Sequence, residues 1–452
     1  MTTLDRARRV PPGPPRSSAM RMLAVMNRDR LGMMTDAAAA YGDAVRLPVG
    51  PKSLYFFNHP DYAKHILADN SANYHKGIGL VHARRALGDG LLTSEGDLWR
   101  KQRSVIQPAF QSKRIAAQAG AIGLEAAALV ERLRAYEGQG PVDVVKEMTG
   151  LTLGVLGRTL LDADLGTFNT IGGSFSTVQD QAMFELATLS AVPTWIPLPT
   201  QLRFRRARRD LERIVDQLVA DRRASTGNRD DVLSRLIISA GQESDPRVGR
   251  ERLRDELVTL LLAGHETTAS TLTWSLYLID QHPQVWERMH AEAVEVLGDR
   301  PPVYEDLRGL KYTAMVVEEV MRLFPPVWLL PRKALREDNV GGYHVPAGAD
   351  VVVCTYTLHR HPDFWPSPER FDPERFDPAR SGDRPRYAYI PFGAGPRFCV
   401  GNHLGMMEAA FVLAMLAREL RLVKAPEHEV VPEPMLSLRM RDGLPMTVRS
   451  LR

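Results

Sequence analysis

The stretch PFGAGPRFCVG, residues 391–401, sets one cysteine among three glycines, two prolines, two phenylalanines and an arginine. Gly393 and Gly395 permit positive φ, so a tight loop can form just ahead of Cys399. The apolar run LGMMEAAFVLAMLA then opens a helix expected from about Leu404 to Glu419. Cys399 therefore sits near a helix N-terminus, where free N–H groups and the dipole favour a thiolate. Gly401 leaves a place where something flat can lie against the backbone, Phe392 and Phe398 supply apolar walls, and Arg397 supplies a cation. These parts suit a thiolate bound to the metal of a planar, apolar, anionic cofactor, and haem has those properties. An inert buried cysteine also fits the loop. So does a nucleophilic cysteine, although no neighbouring histidine pattern supplies its base.

Around this loop the composition, 44% hydrophobic and 25% charged over 452 residues, is that of a folded globular chain. No apolar run approaches the roughly 18 residues of a membrane span, and the N-terminus has no signal-peptide core. Two cysteines, Cys354 and Cys399, exclude a disulfide framework and suit a reducing cytoplasm. With 58 basic and 54 acidic residues the net charge of +4 gives no argument for nucleic acid. The basic run RFRRARRD at 203–210 reads as a solvated helix face.

Residues 1–38 are expected to form a proline-rich N-terminal segment with no membrane anchor; Pro11, Pro12, Pro14 and Pro15 make a stiff extended stretch within it. DAVRLPV and SLYFFN read as two strands of a small sheet. From about 97 to 330 the pattern is helical, broken by the apolar loop AVPTWIPLPT at 191–200. Beyond Pro326 turns and short strands return, and residues 340–358 look like a hairpin. The expected fold is mainly α with a small β region, one domain over 1–452 around one shared core.

Three further patterns carry chemistry. In the helical stretch 251–280, Ala263-Gly264-His265-Glu266-Thr267-Thr268 puts glycine and threonines where a helix favours leucine or alanine. The Thr267 hydroxyl can bond the Ala263 carbonyl four residues back and open a groove. Glu266 is a carboxylate in an apolar stretch, costly to bury without a purpose, and His265 is read as incidental. Glu319 and Arg322 lie three apart, on one helix face. Trp99 and Arg103, in GDLWRKQR, can both donate hydrogen bonds to an acid.

Phe392, Gly393, Gly395, Arg397, Cys399 and Gly401 resemble the cysteine-loop signature of the cytochromes P450. Ala263–Thr268, Glu319 with Arg322, FDPERF at 371–376 and Trp99 with Arg103 resemble that family's other landmarks, in order. The resemblance covers roughly residues 40 to 450 and implies a bacterial, stand-alone haem-thiolate monooxygenase. Haem b would lie between the long central helix and the cysteine-loop helix. Cys399 would be the axial iron ligand, Phe392 would tune the sulfur, and Ala263 and Gly401 would face the ring. Trp99, Arg103, Arg332 and Arg397, with Lys76, would hold propionates. Thr267 would hydrogen-bond the activated oxygen while Glu266 brings protons through water. Glu319, Arg322 and Arg375 would brace the cysteine loop.

By the same analogy, loops 78–92, 184–198, 326–330 and 436–438 would shape the substrate pocket. Phe184, Trp195, Val327, Trp328, Leu329 and Leu436 would line it. No arginine or carboxylate in these loops is expected to anchor a charged substrate, so a terpene, fatty-acyl chain or polyketide would fit. No fused reductase is expected after the last strands. Electrons from NAD(P)H would come through a ferredoxin reductase and a ferredoxin docking near Arg100, Lys101, Lys113 and Arg114. Alternatives are a haem-thiolate isomerase, dehydratase or peroxygenase, or a haem carrier or sensor; neither explains the Glu266–Thr267 pair.

Overall fold

A computed structural model describes residues 9–167, 171–188, 190–193, 195–225 and 230–451. Among them are thirteen helices of eight residues or more: α1 Ala19–Arg28, α2 Arg30–Tyr41, α3 Leu80–Leu87, α4 Gly96–Ile106, α5 Ser112–Arg134, α6 Val144–Leu156, α7 Ile171–Ala187, α8 Pro199–Ala224, α9 Val232–Gly241, α10 Pro246–Gln281, α11 Pro283–Leu297, α12 Lys311–Leu323 and α13 Asn402–Glu419. Five strands make the main sheet: β1 Ala44–Val49, β2 Lys52–Phe57, β3 Tyr74–Lys76, β4 Leu330–Ala334 and β5 Asp350–Val353, in the order β1-β2-β5-β4-β3. Only β2 and β5 pair in parallel. The mainly α expectation holds.

The longest helix, α10, has clear local punctuation. Asp245 caps it by accepting from Arg247 N at 2.8 Å, Pro246 occupies its first turn, and Pro283 forces the break into α11. Along its middle, Gly264 allows a close approach: a Cβ there would meet Leu156 Cδ1 of α6 at 1.9 Å. The central helix is thereby pressed against α6.

Past Pro15 the N-terminal segment turns helical, with Asp29 between α1 and α2, because its Met-, Leu- and Ala-rich sequence favours helix. Residues 1–8 of that segment, with Leu189 and Thr194 of the expected 184–198 loop, lie outside the described residues. Two expectations are corrected. The hairpin is shorter than expected: Asp338–Val340 pairs with Tyr343–Val345, and β5 leaves it to insert between β2 and β4. The core also divides into three clusters, one among the helices and one on each face of the main sheet. Alternate side chains of β1, β2 and β5 point to opposite faces, so one sheet feeds two cores.

No helix among the described residues is long and apolar enough to cross a membrane. Arg203, Arg206 and Arg209 lie on the exposed face of α8, as a solvated helix face requires.

Candidate active site

Gly393 and Gly395 adopt φ of 71° and 66°. A Cβ on Gly395 would stand 1.9 Å from Leu67 O, so the turn admits only glycine. Cys399 N donates to Phe392 O at 3.0 Å, closing the loop, and Gly401 caps α13. The Cys399 sulfur opens into the cavity while protein surrounds it on its other sides. Burial raises the thiol pKa, against the Gly401 N–H and Arg103. The Gly401 N–H favours the thiolate, as expected of a helix terminus, while desolvation opposes it.

Behind the loop, Arg322 is wholly buried and all five of its N–H donors are engaged. Nε and Nη2 grip Glu319 at 2.7 Å each, Nη1 reaches His359 O at 3.1 Å and Pro368 O at 2.6 Å, and Nη2 reaches Arg370 O at 3.0 Å. Glu319 also accepts from Asp372 N at 2.8 Å and faces Arg375 Nε at 3.5 Å. The connection to the cysteine loop runs through His359, whose Nε2 accepts from Ile390 N at 2.9 Å. Burial, with Arg322 nearby, pushes the His359 pKa down to about 3, so its ring is neutral and free to accept. The sequence gave no sign of His359, because only the fold brings it to Ile390.

The cavity above Cys399 measures 430 Å³. Although α10 is otherwise buried here, Ala263, Gly264, Glu266 and Thr267 open onto it. Thr267 Oγ1 donates to Ala263 O at 2.9 Å, as the motif predicts. Glu266 Oε1 accepts from Ser437 Oγ at 2.7 Å and from Gln179 Nε2 of α7. Neither partner was legible in sequence. His265 turns away, buried, with Nδ1 at 2.5 Å from Leu261 O.

On another wall a cationic cluster gathers. Arg397 stacks over the Trp99 ring at 4.0 Å, donates to Ser94 O at 3.0 Å and pairs with Glu95. Arg103 donates to Phe398 O at 2.8 Å. Burial, with Arg397 nearby, lowers the Arg332 pKa to about 10. Burial lowers Lys76 well below its ordinary value, aided by Arg332 and Arg397. Three cations, Lys76, Arg332 and Arg397, thus share one carboxylate, Glu95, which the sequence reading missed. Such a surplus beside an apolar chamber calls for an anionic ligand.

Val327, Trp328, Leu329 and Leu436 line the chamber. Phe184 does not: the phase of α7 presents Met183 and Leu186 instead. Trp195, 74% exposed, lies outside it too. Of the expected docking cations, Arg100 and Arg114 pair with Asp97 and Asp230, and Lys101 with Glu243 at 2.5 Å; Lys113 is exposed.

Among the described residues no group of three or more His, Cys, Asp or Glu side chains could hold a metal alone. A lone sulfur, apolar walls and surplus cations fit a metal whose remaining ligands come from a planar dianionic ring. The fold and the lining of the site suit a haem.

Comparison with known proteins agrees. The family profile Cytochrome P450 matches residues 11–445. The chain is 36% identical over 402 residues to cyclooctatin synthase of Streptomyces melanosporofaciens, covering 88% of this chain and 87% of that one. It is 35% identical to cyclooctat-9-en-7-ol 5-monooxygenase of the same organism, covering 86% and 84%. It is 30% identical to pentalenene oxygenase of Streptomyces avermitilis, covering 87% of each chain. The chain belongs to the cytochrome P450 family and is a haem-dependent oxidoreductase.

Proposed function

We propose that this cytochrome P450 is an intracellular monooxygenase that inserts one oxygen atom from dioxygen into an isoprenoid-like substrate, by hydroxylation or epoxidation. A terpene-class substrate is favoured by relatives whose names specify cyclooctat-9-en-7-ol and pentalenene. The observation that carries the reading is the acid–alcohol pair Glu266–Thr267, open to the same apolar chamber as Cys399.

Bound haem supplies the one-electron and dioxygen chemistry. The chain's own residues do the rest. Cys399 provides the sulfur ligand, with Phe392 beside it. Arg103, Arg332, Arg397 and Lys76 would hold the propionates by charge and hydrogen bonds and Trp99 by its indole N–H, while Ala263 and Gly401 would leave room for the ring's faces. Thr267, its hydroxyl hydrogen committed to Ala263 O, offers its oxygen as an acceptor to the chamber. Glu266 holds a polar point in the apolar wall from which protons move through water. Val327, Trp328, Leu329 and Leu436 orient the substrate and exclude water. Electrons come from NAD(P)H through a separate ferredoxin reductase and ferredoxin.

Dithionite reduction under carbon monoxide should give the absorbance band of a thiolate-ligated haem. Turnover with NADPH and surrogate ferredoxin partners should yield an oxygenated isoprenoid. An imidazole-type band overturns the Cys399 assignment. Oxygen-independent conversion favours the isomerase or dehydratase alternative, and peroxide-driven turnover alone favours a peroxygenase.

A further inference from the structure

The sequence pointed to no charged anchor in the substrate loops, yet the fold carries one into the chamber from the N-terminal helices. Arg30 opens α2, beside the exposed Arg28 and Asp29, and its side chain reaches inward to line the cavity with Met26, Met33, Met34, Leu54 and Met435. It stands apart from the cations grouped around Glu95.

The guanidinium is nearly unspent. Nη1 donates to Pro434 O at 2.9 Å, while Nε is buried with no hydrogen-bond partner, and no carboxylate lies within ion-pair distance among the described residues. Glu433, the acid that attracts it, is already engaged by Arg439 at 2.8 Å and Arg441 at 3.9 Å. Burial lowers the Arg30 pKa, the mark of a cation short of compensation. Nε is closed off from the chamber, which leaves Nη2 as the nitrogen able to give a carboxylate a charge-assisted bond.

We propose that Arg30 is a substrate-anchoring residue whose Nη2 binds the carboxylate of an elongated apolar acid, with the hydrocarbon running along the methionine wall toward Cys399. This rests on reading the cavity as a monooxygenase substrate chamber. It narrows the substrate to an apolar carboxylic acid, of isoprenoid or fatty-acyl skeleton.

The test titrates haem-loaded enzyme with farnesoic acid, dodecanoic acid and their methyl esters, following the low-to-high-spin absorbance change. At least one acid should bind about tenfold or more tightly than its ester. R30Q should abolish that ratio with its carbon monoxide band unchanged, and R30K should keep part of it. The skeleton with the larger ratio identifies the source of the acid. Equal affinity of both acids and their esters, a ratio that survives in R30Q, or no response to either acid overturns the proposal. If R30Q fails to load haem, the wild-type ratio decides. Turnover of a parent hydrocarbon with no acid preference would sink the role of Arg30 alone. Loss of the thiolate-type carbon monoxide band would sink the monooxygenase reading itself.

Discussion

Two buried arginines divide the molecule's labour. Arg322, behind the cysteine loop, spends every donor on Glu319 and three backbone carbonyls. Arg30, at the mouth of the chamber, spends one. The first is surrounded by fixed acceptors and has a single stable arrangement; the second has capacity left for something that arrives from outside. A second partly engaged group lies behind Leu91, a residue of the chamber wall. Glu256 of α10 accepts Leu91 N at 3.1 Å through one oxygen, while the other is buried and unpartnered. Asp255 beside it holds Asp89 N at 2.7 Å. Arg322 has every donor engaged, and Arg30 does not.

The sharpest way to break this contrast is Arg322→Ala. It leaves the Glu319 carboxylate buried without its main partner, which should cost about 3–5 kcal/mol and abolish stable haem loading. A normal haem-loaded yield with an unchanged denaturation midpoint would show that the saturated network braces nothing.

Thr267→Ala should leave haem loading intact. Product formed per NADPH consumed should fall by about tenfold or more as electrons divert to peroxide. Unchanged coupling would remove Thr267 from proton handling.

Glu256 sharpens the comparison through pH. Burial raises its pKa from 4.5 to about 8, so the folded state binds a proton that the unfolded state releases across that window. Stability should therefore fall as pH rises from 4.5 to about 8, by on the order of 1 kcal/mol per unit, and level off above. Glu256→Gln should flatten the profile, as followed by urea unfolding; a variant with the wild-type slope would assign the dependence elsewhere.

The smallest effect belongs to the surface. Arg100→Glu with Lys101→Glu should weaken ferredoxin binding roughly twofold to fivefold at low salt, vanishing at high salt. The loss is modest because both cations already have intramolecular acids. Equal affinity at low salt would move the docking face off α4.

What the residues made legible was whatever sits within a few positions along the chain. The Thr267–Ala263 bond follows from helical spacing, and so does the Glu319–Arg322 pair. Glycines flanking Cys399 announced their turn because positive φ is a local demand. Arg30 lies past the prolines in Met-, Leu- and Ala-rich sequence that favours helix, and no local pattern marks it as a chamber residue.

The sequence alone determined the mainly helical class, the sulfur and the acid–alcohol pair, since each is written in contiguous spacing. Only the tertiary structure decided that Met183 and Leu186 rather than Phe184 face the chamber, because a shift of one residue turns a helical side chain by about 100°. It alone brought Ser437 to Glu266, His359 to Ile390 and Arg30 to Pro434, partners that no local rule can join. Their burial and unspent hydrogen bonds are properties of the packed chain.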